Sequence, residues 1–400
     1  MDIRMKVVSF CHYLQGPACT QYLADMGAEV VKIEPLGGAF ERHWSGGNSW
    51  VGGVSAFLLS ANRNTESLAV DLKKPEGRDL VLRLIDEADV VIENFRPGVL
   101  DRLGLGFDAL RARRPSLILA SASGLGRTGP AASRPGQDLL MQARSGLIAA
   151  TGGGGAGPSA VGAAVIDQHG GALLAMGILG AYVRRLQTGD GTLVEGSLFA
   201  AGIDLQTEAL TKYYAVPDRP DVYTRDRHVG SWYHDAPYGV YPLADGHHLV
   251  LSMNDPVRLA DALGSDALRT LAGIDRYAER DRYAQAVAAE LRTRRFDEIS
   301  AVFDAHAIWH ERVRDYDDLR QDPQALHNEA FREIEVPGGG RATLVNHPLR
   351  YDGELPAYRR MPFHAGQDSL SILRRLGLSA AECDALVAAG VVGTPQAPDA

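Results

Sequence analysis

Cysteine is scarce: Cys11, Cys19 and Cys383 are the only three in 400 residues. They form no CxxC or Cys/His ligand spacing, and an odd count is a poor disulfide framework. A structural metal module and a stapled secreted scaffold are therefore not expected, and a reducing cytoplasm fits best. Long apolar runs are missing as well: none approaches about eighteen uninterrupted residues, and MDIRMKVVSFCHYL lacks a cleavage site, so neither a membrane span nor a signal peptide is expected. There is no basic excess. Fifty acidic against forty-one basic residues give a formal charge of −9, which argues against a nucleic-acid surface. No GxGxxG follows the first apolar run, so a nicotinamide dehydrogenase has little support, and no internal repeat emerges. What remains, 45% hydrophobic and 23% charged, is the composition of an ordinary globular protein, long enough for two domains.

The first two hundred residues alternate short β-branched runs with helical patterns, the signature of βαβ units around a parallel sheet. Candidate strands are Met5 to Phe10, Ala28 to Glu34, Asp89 to Asn94, Ser116 to Ser123 and Thr192 to Leu198. Helical stretches run from Pro17 to Gly27, from Lys73 to Ala88 with Pro75 in the first turn, and from after Asp167 to about Gln187. The predicted fold is α/β: a large Rossmann-like domain over 1–215, a linker 216–240, a smaller α+β domain 241–313, a second linker 314–331, and a C-terminal part 332–400 that returns to the large domain. A hairpin turned at Asp245 and Gly246 opens the small domain. One or two closing helices lie between Gly366 and Val392, and the last eight residues are expected to fray.

Asp167 opens a helix of small and apolar residues. Such an acid reads first as an N-cap, which accepts orphan N–H groups of the first turn; the alternative is a nucleophile held beside a ligand. No capping box supports the cap, because the third residue onward is Gly170. TGGGGAG (Thr151 to Gly157) lacks the Lys-Ser or Lys-Thr of a phosphate loop and reads as a flexible loop. LQGPACTQ places Gly16 and Pro17 where the first strand feeds a helix, the usual ligand end of an open α/β sheet. Lys73 and Lys74 follow AVDL, while Asn94, Phe95 and Arg96, with Arg102 beyond, offer an amide, a ring and guanidinium groups that suit a phosphorylated nucleotide.

In order along the chain, LQGPACTQYLADMGAEVVKIEP, ANRNTESLAVDLKKPEG, DVVIENFRPGVLDRLGLG, SASGLGRTGPAASRPGQDLL and GAAVIDQHGGALLAMGILGAYVRRLQTGDG resemble the class III coenzyme A transferases of CaiB/BaiF type. That group includes formyl-CoA:oxalate and carnitine CoA transferases. The resemblance implies that Asp167 is the nucleophile and that Leu14 and Gln15 lie against the thioester. It further implies that Lys73, Asn94, Phe95, Arg96, Arg102 and Gln137 line coenzyme A, and that Asp138 is a second acid near the nucleophile. An interlocked homodimer is implied too. Leu14 stands where some transferases carry Gln, and the glycine run that covers the site in the formyl-CoA enzyme has no evident counterpart before WYHDAPYG.

The expected reaction moves CoA from an acyl-CoA thioester to a carboxylic acid through an aspartyl anhydride and an aspartyl-CoA thioester, with no metal and no tightly bound cofactor. Backbone N–H groups near Gly170 and Gly171 are candidate oxyanion donors, with helix packing as the other reading. Arg42 and Trp44 are candidate contacts to the acceptor or acyl chain. The competing reading is a 2-methylacyl-CoA racemase or other CoA-dependent isomerase. It is disfavoured because Gln137 stands where that branch carries a proton-exchanging His; His12 and His169 are the substitutes. A non-catalytic acyl-CoA binder has no use for the acid.

Overall fold

Successive residues of a strand face opposite layers, and the early β-branched runs use both faces. The computed structural model describes residues 2–153, 157–216 and 222–395. In it, β1 (Lys6–Phe10), β2 (Glu29–Glu34), β3 (Thr65–Val70), β4 (Val90–Glu93), β5 (Ile118–Ser123) and β6 (Leu193–Ser197) form a parallel sheet in the order β3-β2-β1-β4-β5-β6. The helices that matter below are α1 (Gln15–Asp25), α2 (Pro75–Glu87), α3 (Asp138–Arg144), α4 (Val165–Thr188), α5 (Leu198–Asp204), α6 (Ser369–Arg375) and α7 (Ala380–Ala388).

Val7, Val30, Val90 and Ile92 face Leu23 of α1 and Leu174 and Ile178 of α4. Their neighbours Val8, Val31 and Val91 face the opposite layer with Ile85 of α2, Ile372 and Leu373 of α6 and Cys383 of α7. Helices on both faces are what a parallel sheet requires. The strands expected from sequence are present, with ends moved by one or two residues, and Pro75 takes the first helical position of α2.

Two features were not anticipated. Thr65–Val70 enters the sheet beside β2, and Val392 and Gly393 pair antiparallel with Val70 and Ala69 at its edge. Gly393 therefore belongs to a strand and not to a frayed tail; a two-residue strand carries no readable period, so its partner decides it.

The chain divides into two compact units. One comprises Met1–Met141, Ala164–Leu205 and Gln324–Ala400; the other comprises Gln142–Ala163 and Gln206–Pro323. The second holds an antiparallel sheet of β7 (Gly239–Pro242), β8 (His248–Leu251) and β9 (His310–Arg312), in that order, which includes the expected hairpin. Its core buries Tyr241, Leu249, Leu251, Tyr283 and Phe303. Parts of the Thr151 to Gly157 loop, the first expected linker and the tail lie outside the described residues. Among the described residues no helix is long and apolar enough to cross a membrane.

In the large sheet the strand order reverses at β1, which has β2 on one side and β4 on the other. In open α/β sheets that reversal opens a crevice at the carboxyl ends of the strands. Here those ends carry Cys11 to Gln15 and Asn94 to Arg96.

Candidate active site

Ala164 occupies the N-cap position of α4 and offers no side chain to cap it. Asp138, the first residue of α3, does so from outside: its Oδ2 accepts the N–H groups of Ile166 and Asp167 at 2.8 and 3.0 Å. Asp167 is thus the third residue of its helix and not its cap, which corrects the first reading of that acid. Its carboxylate instead lies by the backbone N–H of Gln15, which favours its charged form, at the first residue of α1. Each acid serves the N-terminus of another helix, where orphan N–H groups and the helix dipole favour negative charge.

Asp167 is partly buried. Burial, with the Asp138 charge second and the Gln15 N–H opposing, raises its pKa from 3.8 to about 7. A carboxylate that has lost much of its water and gained basicity is a better nucleophile than an ordinary surface acid.

α1 and α4 approach closely because α4 carries glycine on the shared face. A Cβ at Gly171 would lie 2.9 Å from both the Gln15 carbonyl oxygen and Ala18 Cβ, and one at Gly170 would lie 2.8 Å from Gln15 Nε2. The oxyanion expectation for these two glycines meets a geometric objection. They lie beyond the first turn of α4, where the intrahelical ladder engages backbone N–H groups, and their role is to admit α1. Gln15 itself is 4% exposed, and its Nε2 has no protein partner.

The residues expected around coenzyme A lie at strand ends. Leu14 is the N-cap of α1. Lys73 follows β3, Arg96 follows β4, and Arg102 ends the short helix Val99–Arg102; all three are exposed. Asn94 is engaged with backbone: its Oδ1 accepts the His12 N–H at 3.0 Å and its Nδ2 donates to the His12 carbonyl at 2.5 Å, tying β4 to the end of β1. Phe95 donates its N–H to Glu93 Oε2 at 2.8 Å. With Arg96, Asp101, Ser121 and Arg127 it lines a cleft of about 190 Å³. Gln137 is exposed, and its carbonyl accepts the Met141 N–H.

Arg42 and Trp44 part company. Arg42 turns inward, donating Nε and Nη2 to Glu34 at 2.7 and 2.6 Å and Nη1 to the carbonyls of Pro362 and Phe363 at 2.9 and 3.0 Å. Burial opposes charge on Glu34, yet Arg42 holds its pKa down to about 2. Four of its five N–H groups are spent on these acceptors and its side chain is 7% exposed, so its first role is to neutralise Glu34 and not to meet an acceptor carboxylate. Trp44 is 47% exposed and stacks on Phe40 at 5.7 Å. Of the substitute histidines, His169 pairs with Asp204 at 2.8 Å, and burial pushes the His12 imidazole down.

Sequence reasoning passed over Glu93, Tyr13 and the buried Lys32–Glu41 pair. Glu93 is buried and accepts the Ser121 hydroxyl at 2.6 Å; burial raises its pKa, against the bonds from Ser121 and the Phe95 N–H. An acid closing the apolar run DVVIE was its signal. Tyr13 has φ 62°, which no local pattern announces. Among the described residues no three His, Cys, Asp or Glu side chains converge as metal ligands do.

Residues 4–369 match the family described as CoA-transferase family III. An acyl-CoA transferase of Fusarium pseudograminearum is 30% identical, over 94% of this chain and 85% of that one. A succinyl-CoA–D-citramalate CoA-transferase of Chloroflexus aurantiacus is 31% identical, over 86% and 85%. The crystal structure of a CaiB/BaiF family protein from Brucella suis superimposes with a TM-score of 0.80 at 28% identity, covering 94% of this chain and 98% of that one. With the fold, the strand-end crevice and these relatives in agreement, the chain belongs to CoA-transferase family III, the CaiB/BaiF group, and is a CoA-transferase.

Proposed function

We propose that this enzyme moves CoA from an acyl-CoA thioester to a carboxylic acid through covalent intermediates on Asp167. The observation that carries the reading is the environment of that carboxyl: partly buried, with a pKa raised to about 7, and oriented by the Gln15 N–H. An acid kept for packing or solubility has no need of this setting.

An Asp167 oxygen attacks the thioester carbonyl carbon. The C–S bond breaks and CoA leaves as thiolate, giving a mixed anhydride. The thiolate attacks the Asp167 carbonyl, expelling the donor carboxylate and leaving an aspartyl-CoA thioester. The acceptor carboxylate attacks that carbonyl and expels the thiolate, which then takes the acceptor acyl group and restores the Asp167 carboxylate. Each step exchanges one acyl bond for another, so no net proton or external energy source is required.

In this reading Asp138 is a positioning residue, acting through the Asp167 N–H. Lys73, Arg96 and Arg102 meet the phosphates, Phe95 stacks, and Leu14 and Gln15 flank the thioester. The acyl-CoA is a substrate and no resident cofactor takes part. Gln137 supplies an amide and not an imidazole, so a racemase would lack its second base.

We place the enzyme in the cytoplasm and read it as an interlocked homodimer. Support for an assembly comes from α4, which buries Leu174 and Ile178 on one side while Met176, Val183 and Leu186 are 64%, 54% and 71% exposed on another. A helix apolar all round is normally covered.

Incubation with acyl-CoA and no acceptor should leave an adduct on the peptide VGAAVIDQHGG, cleavable by hydroxylamine. Solvent deuterium at the α-carbon of a 2-methylacyl-CoA with no adduct would shift the reading to a racemase.

A further inference from the structure

The geometry points to an apolar or aromatic acyl group, and not a dicarboxylate, as the group handled beside Asp167, with Tyr13, Phe40 and Trp44 selecting it. The inference rests on Asp167 being the acylated residue.

Tyr13 carries the first clue. Its φ of 62° lies in the left-handed region that bulky side chains avoid, and such strain persists only where the surroundings over-determine it. They do so here. The Tyr13 N–H donates to Glu41 Oε2 at 3.3 Å, and the Glu41 carboxylate is fully buried and paired with Lys32, which also donates to Asn62 at 2.7 Å. A buried ion pair is an expensive way to hold a turn unless the turn's geometry matters.

The result is an outward ring. Tyr13 is 46% exposed and lies 4.8 Å from Phe40, which stacks on Trp44 at 5.7 Å. On its other side come His12 at 4.7 Å and then Phe95, 5.1 Å from His12. These rings form one strip from the end of β4, past the end of β1, to the turn carrying Phe40 and Trp44. Two residues of chain span at most about 7 Å, so Tyr13 lies within that reach of Gln15, which packs against Gly170 and Gly171 of the helix that carries Asp167. The middle of the strip therefore passes near the nucleophile, and exposed aromatic faces of this extent mark contact with an apolar partner.

Charge completes the argument. A dicarboxylate needs a cation for its distal group, and between residues 33 and 62 Arg42 is the sole Lys or Arg. Arg42 turns inward, its charge balanced by Glu34 and four of its five N–H groups taken by Glu34 and two backbone carbonyls. Lys32, under Tyr13, is engaged by Glu41 and Asn62. Between Tyr13 and Trp44 a hydrocarbon chain or ring finds partners and a second carboxylate finds no uncommitted Lys or Arg; the cations beside Phe95, which are Arg96 and Arg127, lie at the other end of the strip, where the CoA phosphates are placed.

The test compares hexanoyl-, benzoyl- and succinyl-CoA as labelling agents for the full-length protein, by rapid quench and mass spectrometry of the Asp167 peptide, with free-CoA affinity measured by calorimetry. Hexanoyl- and benzoyl-CoA should label at least tenfold faster per mole than succinyl-CoA. Tyr13→Gly, whose new residue accepts positive φ without strain, and Trp44→Ala should cut that preference below threefold and leave free-CoA affinity within twofold. Succinyl-CoA labelling as fast as the apolar thioesters, or a preference undiminished in both variants, overturns the inference and leaves the role of Asp167 intact. Failure of every thioester to label Asp167 while CoA still binds removes the underlying reading, and the inference with it.

Discussion

Asp138 Oδ2 receives the Asp167 N–H at 3.0 Å, while the Asp167 carboxylate looks away from its own helix toward the N–H of Gln15. Asp138 caps α4, and Asp167 in turn stands at the N-terminus of α1. Asp138 also contributes to the raised pKa of Asp167, so one residue sets both the position and the basicity of the proposed nucleophile.

Asp167→Ala should abolish transfer and leave CoA affinity within about tenfold, because covalent catalysis and nucleotide anchoring fall to different residues. Steady-state rates beside calorimetric CoA titrations check it; transfer at an appreciable fraction of the wild-type rate would refute the assignment.

The pH profile should follow the same carboxyl. Asp167 attacks only when ionised, so kcat/KM should fall tenfold per unit as pH drops below about 7, where the free enzyme titrates. Asp138→Asn keeps an oxygen for the two N–H groups but removes the charge, and should move that limb to lower pH. Asp138→Ala loses the cap as well and should cost about 1 kcal/mol in chemical denaturation.

Stability should run the opposite way. A carboxyl with a folded pKa above its unfolded value contributes stability below the unfolded value, which is lost as pH rises through the folded one. Relative to wild type, Asp167→Asn should therefore raise Tm most above pH 7, by roughly 2–4 °C for each kcal/mol relieved, and the gain should shrink toward pH 4. Calorimetric scans at pH 4, 6 and 8 would show the trend; a constant difference would contradict the raised pKa.

Gly171→Ala should loosen the α1–α4 contact, since the new methyl would stand 2.9 Å from Gln15 O and Ala18 Cβ. Overpacking of this kind costs about 1–3 kcal/mol. Urea unfolding reads the cost, and displacement of Gln15 should lower kcat as well.

Arg42→Ala should be a stability mutant. Removing the guanidinium leaves Glu34 buried without its partner, a loss of about 3–5 kcal/mol. A folded Arg42→Ala protein with only a raised acceptor KM would return Arg42 to the substrate.

The sequence carried the sheet, because the runs MKVVSF, AEVVKIE, DVVIEN and SLILASAS hold β-branched residues on both faces, and a strand buried on both sides reads that way without knowledge of its neighbours. It also carried the neighbourhood of Asp167: an acid at the head of a glycine-rich apolar helix is local information. Orientation was not local. That Asp167 stands at the N-terminus of α1, and Asp138 caps α4, depends on where separate helices meet.

Arg42 shows the limit most plainly. In the sequence it is a cation beside Trp44 and a strand end, as fit for a substrate as for a surface. The fold brings to it Glu34, eight residues away, and the carbonyls of Pro362 and Phe363, 320 and 321 residues away, which together take four of its five N–H groups. The same holds for Val392 and Gly393, too short for any period and made a strand only by β3. Periodicity and composition act over a few residues, and so the sequence by itself determined the parallel sheet, its helical layers and the acid at the crevice. Which polar groups face that crevice and which are neutralised inside was decided by contacts between distant segments, since burying a charge or a backbone carbonyl requires a partner that only the tertiary structure supplies.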